Sequence, residues 1–134
     1  MLTDTTPLAA LIDTREPSHA RCAAIAASFR DTLETTWPCI TEASYLLHRS
    51  GGWPRVEVLL QMLSRGILRV HYADQNELDR IITLMTKYRD LPCHLADASL
   101  VAAAETLRTG HIFTLDSHFY AYRKADGSAF IVVP

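Results

Sequence analysis

Hydrophobic and polar positions follow two rhythms in this chain, and the rhythms take turns from one end to the other. Met1 to Asp4 reads as a short strand. Thr5-Thr6-Pro7 then starts a helix, with a threonine cap and a proline in the first turn, and Leu8, Leu11 and Ile12 give it an apolar face. Asp13 to Pro17 is a polar break. From Ser18 to Thr32, Cys22, Ile25, Ala26 and Phe29 recur at helical spacing. Thr35, Thr36 and Trp37 read as a strand cut by Pro38. Thr41 begins the next helix, with Ala43, Leu46 and Leu47 inward, and Gly51-Gly52 ends it. Val56, Leu59, Leu60 and Leu63 mark another helix, closed by Gly66. Ile67 to Tyr72 alternates as a strand does, whereas Leu78, Ile81, Ile82, Met85 and Tyr88 trace an amphipathic helix. Asp97 to Leu107 is a helix of small apolar residues, and Ile112–Leu115 and Ala129–Val133 are strands. Strands alternating with helices predict an α/β fold with a parallel sheet covered on both faces.

Composition narrows the classes. The chain has 134 residues, enough for one domain with its own core, and 49% of them are apolar with ordinary Gly and Pro content, which argues against disorder. The formal charge of −2 gives no global attraction to nucleic acid, so any such contact must be local. Cys22, Cys39 and Cys93 are odd in number and form no C-x-x-C pair, which disfavours a disulfide framework or a zinc knuckle and fits a reducing cytosol. The opening MLTDTTPLAALID lacks the basic leader of a signal peptide, and no apolar run is long enough to span a bilayer. The expected location is therefore the cytoplasm.

Carboxylates placed on this scaffold form a pattern. Asp4 ends the first strand, Glu42 lies in the first helical turn after the second, and Asp116 follows Ile112–Leu115. In a parallel sheet every strand end that leads into a helix lies on one edge, the edge where open α/β sheets build their sites. Asp97, opening its helix, can join them. Each acid also has a purely structural reading: Asp97 as an N-cap, Asp116 as a turn residue, Glu42 as a partner of the helix dipole, Asp4 as a loop acid. The matching topological positions of all four favour a shared role. Four carboxylates in one crevice repel unless some hold protons or a cation neutralises them, and oxygen-only ligands select hard cations such as Mg²⁺ or Mn²⁺. Asp31, Glu34, Asp74, Glu77, Asp79 and Asp90 read as solvated surface.

The stretches DTTPLAALID, TTWPCITEASYLL, LADASLVAAAE and IFTLDSHF, in this order, resemble the segments of a PIN domain, most closely those of the VapC-type toxins of bacterial toxin–antitoxin pairs. The resemblance covers essentially the whole chain. It implies a three-layer α/β/α sandwich around a mainly parallel sheet. It implies Mg²⁺- or Mn²⁺-dependent hydrolysis of RNA to 5′-phosphate and 3′-hydroxyl ends. Asp4, Glu42, Asp97 and Asp116 would be the metal-binding and catalytic acids, with Thr5 and Thr114 as hydroxyl donors that orient carboxylates or a bound water. The implied partners are an RNA, with tRNA and rRNA among the options, a cognate antitoxin, and a second copy in a homodimer. The antitoxin would wrap an apolar groove and set a basic side chain near the acids. One departure is His94, at a position where some relatives carry an acid.

Arg15, Arg49, Arg55, Lys87, Arg89, Arg123 and Lys124 are candidates for phosphate contact. Tyr45, Leu46, Trp53, Val56 and Leu60 supply more apolar surface than one small core needs; core packing is the expected use of most of them, and an exposed remainder would mark an interface. Three other readings stand beside a toxin ribonuclease. They are a nuclease acting on DNA or a structured flap, a catalytically silent PIN module, and a phosphate-accepting receiver domain. Receivers need an acid pair after the first strand and a lysine after a late one; here Asp4 is followed by Thr5-Thr6, and Leu115-Asp116 brings no lysine.

Overall fold

The computed structural model describes all residues, Met1–Pro134. Five parallel strands, β1 (Leu2–Thr3), β2 (Leu33–Thr36), β3 (Leu68–His71), β4 (His111–Phe113) and β5 (Ile131–Val133), form one sheet in the order β3-β2-β1-β4-β5. The crossovers supply α1 (Thr5–Ile12), α2 (His19–Ser28), α3 (Trp37–Gly51), α4 (Trp53–Ser64), α5 (Gln75–Lys87) and α6 (Leu95–Thr106), with a short 3₁₀ turn at Ser117–Tyr120. The order places β1 at the centre, flanked by β2 and β4. The loops after these three strands therefore meet on one edge.

Alternation along the strands divides the core in two. Leu2 and Ile112 are register partners and face α5 and α6, where Leu84, Leu100, Phe119 and Tyr122 are buried with them. Phe113 faces the other way, against Ala10 and Cys22 of α1 and α2, while Leu68 packs under Leu8, Leu47 and Leu59 of α1, α3 and α4. The result is the expected three-layer sandwich. Helix α6 is buried along Ala96–Ala104, and its small side chains let the helix lie close to its neighbours. Tyr122 donates to Pro92 O at 2.6 Å and so fixes the loop that leads into α6.

Several boundaries differ from the sequence pattern, for local reasons. The cap of α1 is Asp4, whose Oδ1 accepts the Thr5 N–H, rather than a threonine. Extended backbone stops at Thr36; Trp37 is already helical, and Pro38 starts α3 instead of merely cutting a strand. A proline suits a first helical turn because its missing N–H is not needed there. Helix α3 thus begins four residues before Thr41, and Glu42 sits in its second turn, not its first. Helix α2 ends at Ser28, short of Thr32. Leu46, expected inward, is exposed, as are Tyr45, Trp53 and Leu60; of the five apolar residues expected mostly in the core, only Val56 is buried. Glu77 is not solvated surface: it is buried, and His71 Nε2 lies 2.7 Å from its Oε1. No helix is long and apolar enough to cross a membrane.

Candidate active site

Asp4, Glu42, Asp97 and Asp116 all line one cleft of about 850 Å³ at the C-terminal edge of the sheet. Each arrives on a different element. Asp4 stands between β1 and α1 and is 4% exposed. Its Oδ1 accepts the Thr5 N–H at 2.6 Å, and its Oδ2 accepts the Thr114 hydroxyl at 2.6 Å. The Thr5 hydroxyl donates to Glu42 Oε2 at 3.0 Å. Thr114 Oγ1 in turn accepts the Asp116 N–H at 2.9 Å. Two threonines therefore tie the central aspartate to the acids on either side: Thr5 to Glu42, Thr114 to the backbone of Asp116.

Asp97 is not the first residue of α6. The helix starts at Leu95 with His94 as its cap, and Asp97, in its first turn, reaches back to accept the His94 N–H at 2.8 Å. Asp97 thus fills the N3 place of a capping box whose cap is His94, three residues before the position the sequence pattern suggests. His94 itself is exposed and lines the cleft, with Nδ1 3.8 Å from Asp97 Oδ2. Asp116 caps the 3₁₀ turn, accepting the His118 N–H at 2.9 Å, and His118 Nδ1 lies 2.7 Å from its Oδ1.

The electrostatics show that these groups feel one another. Burial pushes the Asp4 carboxyl up to about 6, against hydrogen bonds from Thr114 and Thr5 that favour its charged form; the charges of Asp97 and Asp116 add to the rise. Burial also raises Asp97, opposed by the His94 hydrogen bond and reinforced by the charges of Asp116 and Glu42. Such mutual repulsion in a recess is the environment that a cation relieves.

The residues fit a hard divalent cation by the chemistry of their donors, which are carboxylate and hydroxyl oxygens. No three His, Cys, Asp or Glu side chains stand gathered as a ready ligand set. All four acids accept hydrogen bonds; Asp4 and Asp97 are buried, whereas Glu42 is exposed and Asp116 is partly so.

The far end of the cleft holds a feature the sequence reading missed. Asp13, passed over as part of a polar break, is buried and lines the same cleft. Arg55 Nη1 bonds its Oδ2, and Arg15 approaches its Oδ1, with Nε at 3.4 Å. Burial works against the Asp13 charge, but hydrogen bonds from the Arg15 backbone, Ser50 and the Arg15 side chain, with the charge of Arg55, hold its pKa below the ordinary value. Arg55 also donates to Ser50 Oγ at 2.8 Å, so it joins α1 to the α3–α4 corner. The signal was present in Asp13 closing an apolar helix, but its partner lies 42 residues away. Arg55 is thus committed to the fold, and so is Arg123, whose guanidinium donates to the carbonyls of Tyr120 and Tyr122. Arg49 lines the cleft.

No family model matches the chain. It is 33% identical over 135 residues, covering 100% of both chains, to ribonuclease VapC26 of Mycobacterium tuberculosis. Among solved structures, VapC20 of Mycobacterium tuberculosis, a sarcin–ricin loop cleaving toxin, superposes with a TM-score of 0.83 at 18% identity, covering 90% of this chain and 92% of that one. A toxin–antitoxin complex from Klebsiella pneumoniae gives 0.71 at 18% identity, covering 99% and 95%. At that identity the two structures speak to the fold, which agrees with the sandwich described above. With the full-length relative they lead to one conclusion: this chain belongs to the VapC family of PIN-domain ribonucleases.

Proposed function

We propose that this protein is a divalent-metal-dependent endoribonuclease, the toxin of a toxin–antitoxin pair, which hydrolyses RNA to 5′-phosphate and 3′-hydroxyl ends. The observation that carries the proposal is the convergence of Asp4, Glu42, Asp97 and Asp116 on one cleft, where burial raises the Asp4 carboxyl and the charges of Asp97 and Asp116 add to the rise. Mg²⁺ or Mn²⁺, held by these four acids, would supply Lewis acidity that makes a water more acidic and neutralises charge on the leaving 3′ oxygen. The chain's own contribution is orientation. Thr114 and the Thr5 N–H hold both oxygens of Asp4, and the Thr5 hydroxyl holds one oxygen of Glu42.

The ribonuclease VapC26 relationship supports RNA over a DNA or flap substrate. The toxin–antitoxin complex among the structural neighbours supports a cognate antitoxin as partner. A homodimer is supported by α5, where Leu78, Ile82 and Met85 are exposed at i, i+4 and i+7 and form an apolar stripe.

The test is cleavage of cellular RNA by the purified, partner-free protein with Mg²⁺ or Mn²⁺, followed by mapping of the ends. Discrete cuts with 5′-phosphates are expected, absent in EDTA and absent with Asp97→Asn. Cuts that survive both controls would rule out the acidic site. Intact RNA alongside a cleaved DNA or flap substrate would move the protein to the second reading.

A further inference from the structure

The cleft extends past the carboxylates along α3. Glu42, Tyr45, Leu46 and Arg49 recur at i, i+3, i+4 and i+7, so one face of the helix forms its wall. At about 1.5 Å per residue, Arg49 lies about 10 Å beyond Glu42 along the axis. That is a spacing for neighbouring nucleotides rather than for one phosphate.

Tyr45 is 60% exposed, and the Arg49 guanidinium lies 5.7 Å from the centre of its ring. The fold makes no evident use of either side chain. The inward side of α3 is filled by Cys39, Ile40, Ala43 and Leu47, and neither Tyr45 nor Arg49 is tied to another residue by a side-chain hydrogen bond or ion pair. Arg15 and Arg55, at the same end of the cleft, are engaged with Asp13. Arg49 is the arginine of this wall whose charge is not already paired.

We propose that Tyr45 and Arg49 form a nucleotide subsite for single-stranded RNA, a reading that rests on the nuclease assignment. The Tyr45 ring stacks a base beside the scissile phosphate, and Arg49 holds the phosphate of the next nucleotide. Aromatic stacking takes any base, because every base has a π face. The guanidinium fork matches phosphate oxygens, and its place against the ring organises both groups before RNA arrives. A cation and an exposed ring in line with the acids also answer how a chain of net charge −2 retains a polyanion: through a few local contacts.

The test is binding of a short fluorescein-labelled single-stranded RNA of mixed sequence, followed by anisotropy in Ca²⁺ across a salt series. Both side chains are exposed, so Tyr45→Ala and Arg49→Ala are expected to melt like the wild type. Each should weaken binding by roughly tenfold. Tyr45→Phe keeps the ring and should bind as the wild type does. Arg49→Ala should lower the log–log salt slope by about 0.7, and Tyr45→Ala should leave that slope unchanged. Wild-type binding with no loss in either alanine variant would overturn the subsite alone and return this face to a protein partner. An absence of wild-type binding would likewise overturn the single-strand subsite, and the nuclease reading would then stand or fall separately on the cleavage of cellular RNA.

Discussion

Asp4 carries two conflicting demands. It caps α1, which favours its carboxylate, yet it is buried among other acids, which does not. Burial pushes its pKa up to about 6, from the 3.8 of an unperturbed aspartate. Well below pH 3.8 both native and unfolded forms hold the proton. Between the two values the unfolded chain ionises while the native one keeps its proton, so stability falls as pH rises, and above about 6 the loss is complete. The shift corresponds to roughly 3 kcal/mol. Metal-free Asp4→Asn should therefore gain stability relative to the wild type as pH rises from about 4 to about 6, read as a difference in thermal midpoint that grows over that range and then levels off. A constant difference would mean that Asp4 is not strained. At the same scale, Thr114→Val removes a hydroxyl that holds Asp4 Oδ2, and a roughly 10- to 100-fold loss of cleavage is expected in kinetic assays while the fold is kept.

Elements carry these residues to the edge, and their boundaries depend on a few local features. Gly52 joins α3 to α4 at φ 73, a left-handed conformation open to glycine. Gly52→Ala should cost about 1 kcal/mol in chemical denaturation, without altering the acids. The strand–helix alternation was legible because apolar spacing differs so clearly between Ile67–Tyr72 and the helix that follows. The starts of α3 and α6 were not. Pro38 disguised a helix start as a strand break, and His94 is an unusual cap, so Asp97 took its place in the pattern. The four acids still line one cleft despite both errors, because one turn of helix does not remove a side chain from a strand's edge.

For the whole molecule, the acids were found by topology, whereas the surface was misjudged. A local pattern shows that Tyr45, Leu46, Trp53, Val56 and Leu60 exceed what one small core needs, not which of them stay outside. Most were expected in an interior that Leu8, Leu47, Leu59 and Leu68 already fill, so the exposed remainder is larger than expected. The Asp13–Arg55 joint was invisible for a related reason, since long-range pairing leaves no local trace. The proposed homodimer makes a prediction here. Light scattering should give twice the 15.0 kDa chain mass, and Ile82→Arg, which charges the α5 stripe, should give a monomer. A wild-type monomer at all concentrations would refute the dimer.

The central claim is that Asp4, Glu42, Asp97 and Asp116 act together on one divalent cation. Isothermal titration of Mn²⁺ into the wild type and the four single amide variants tests it most directly. The account predicts saturable binding by the wild type and weaker binding by every variant. Wild-type affinity retained in all four would contradict it.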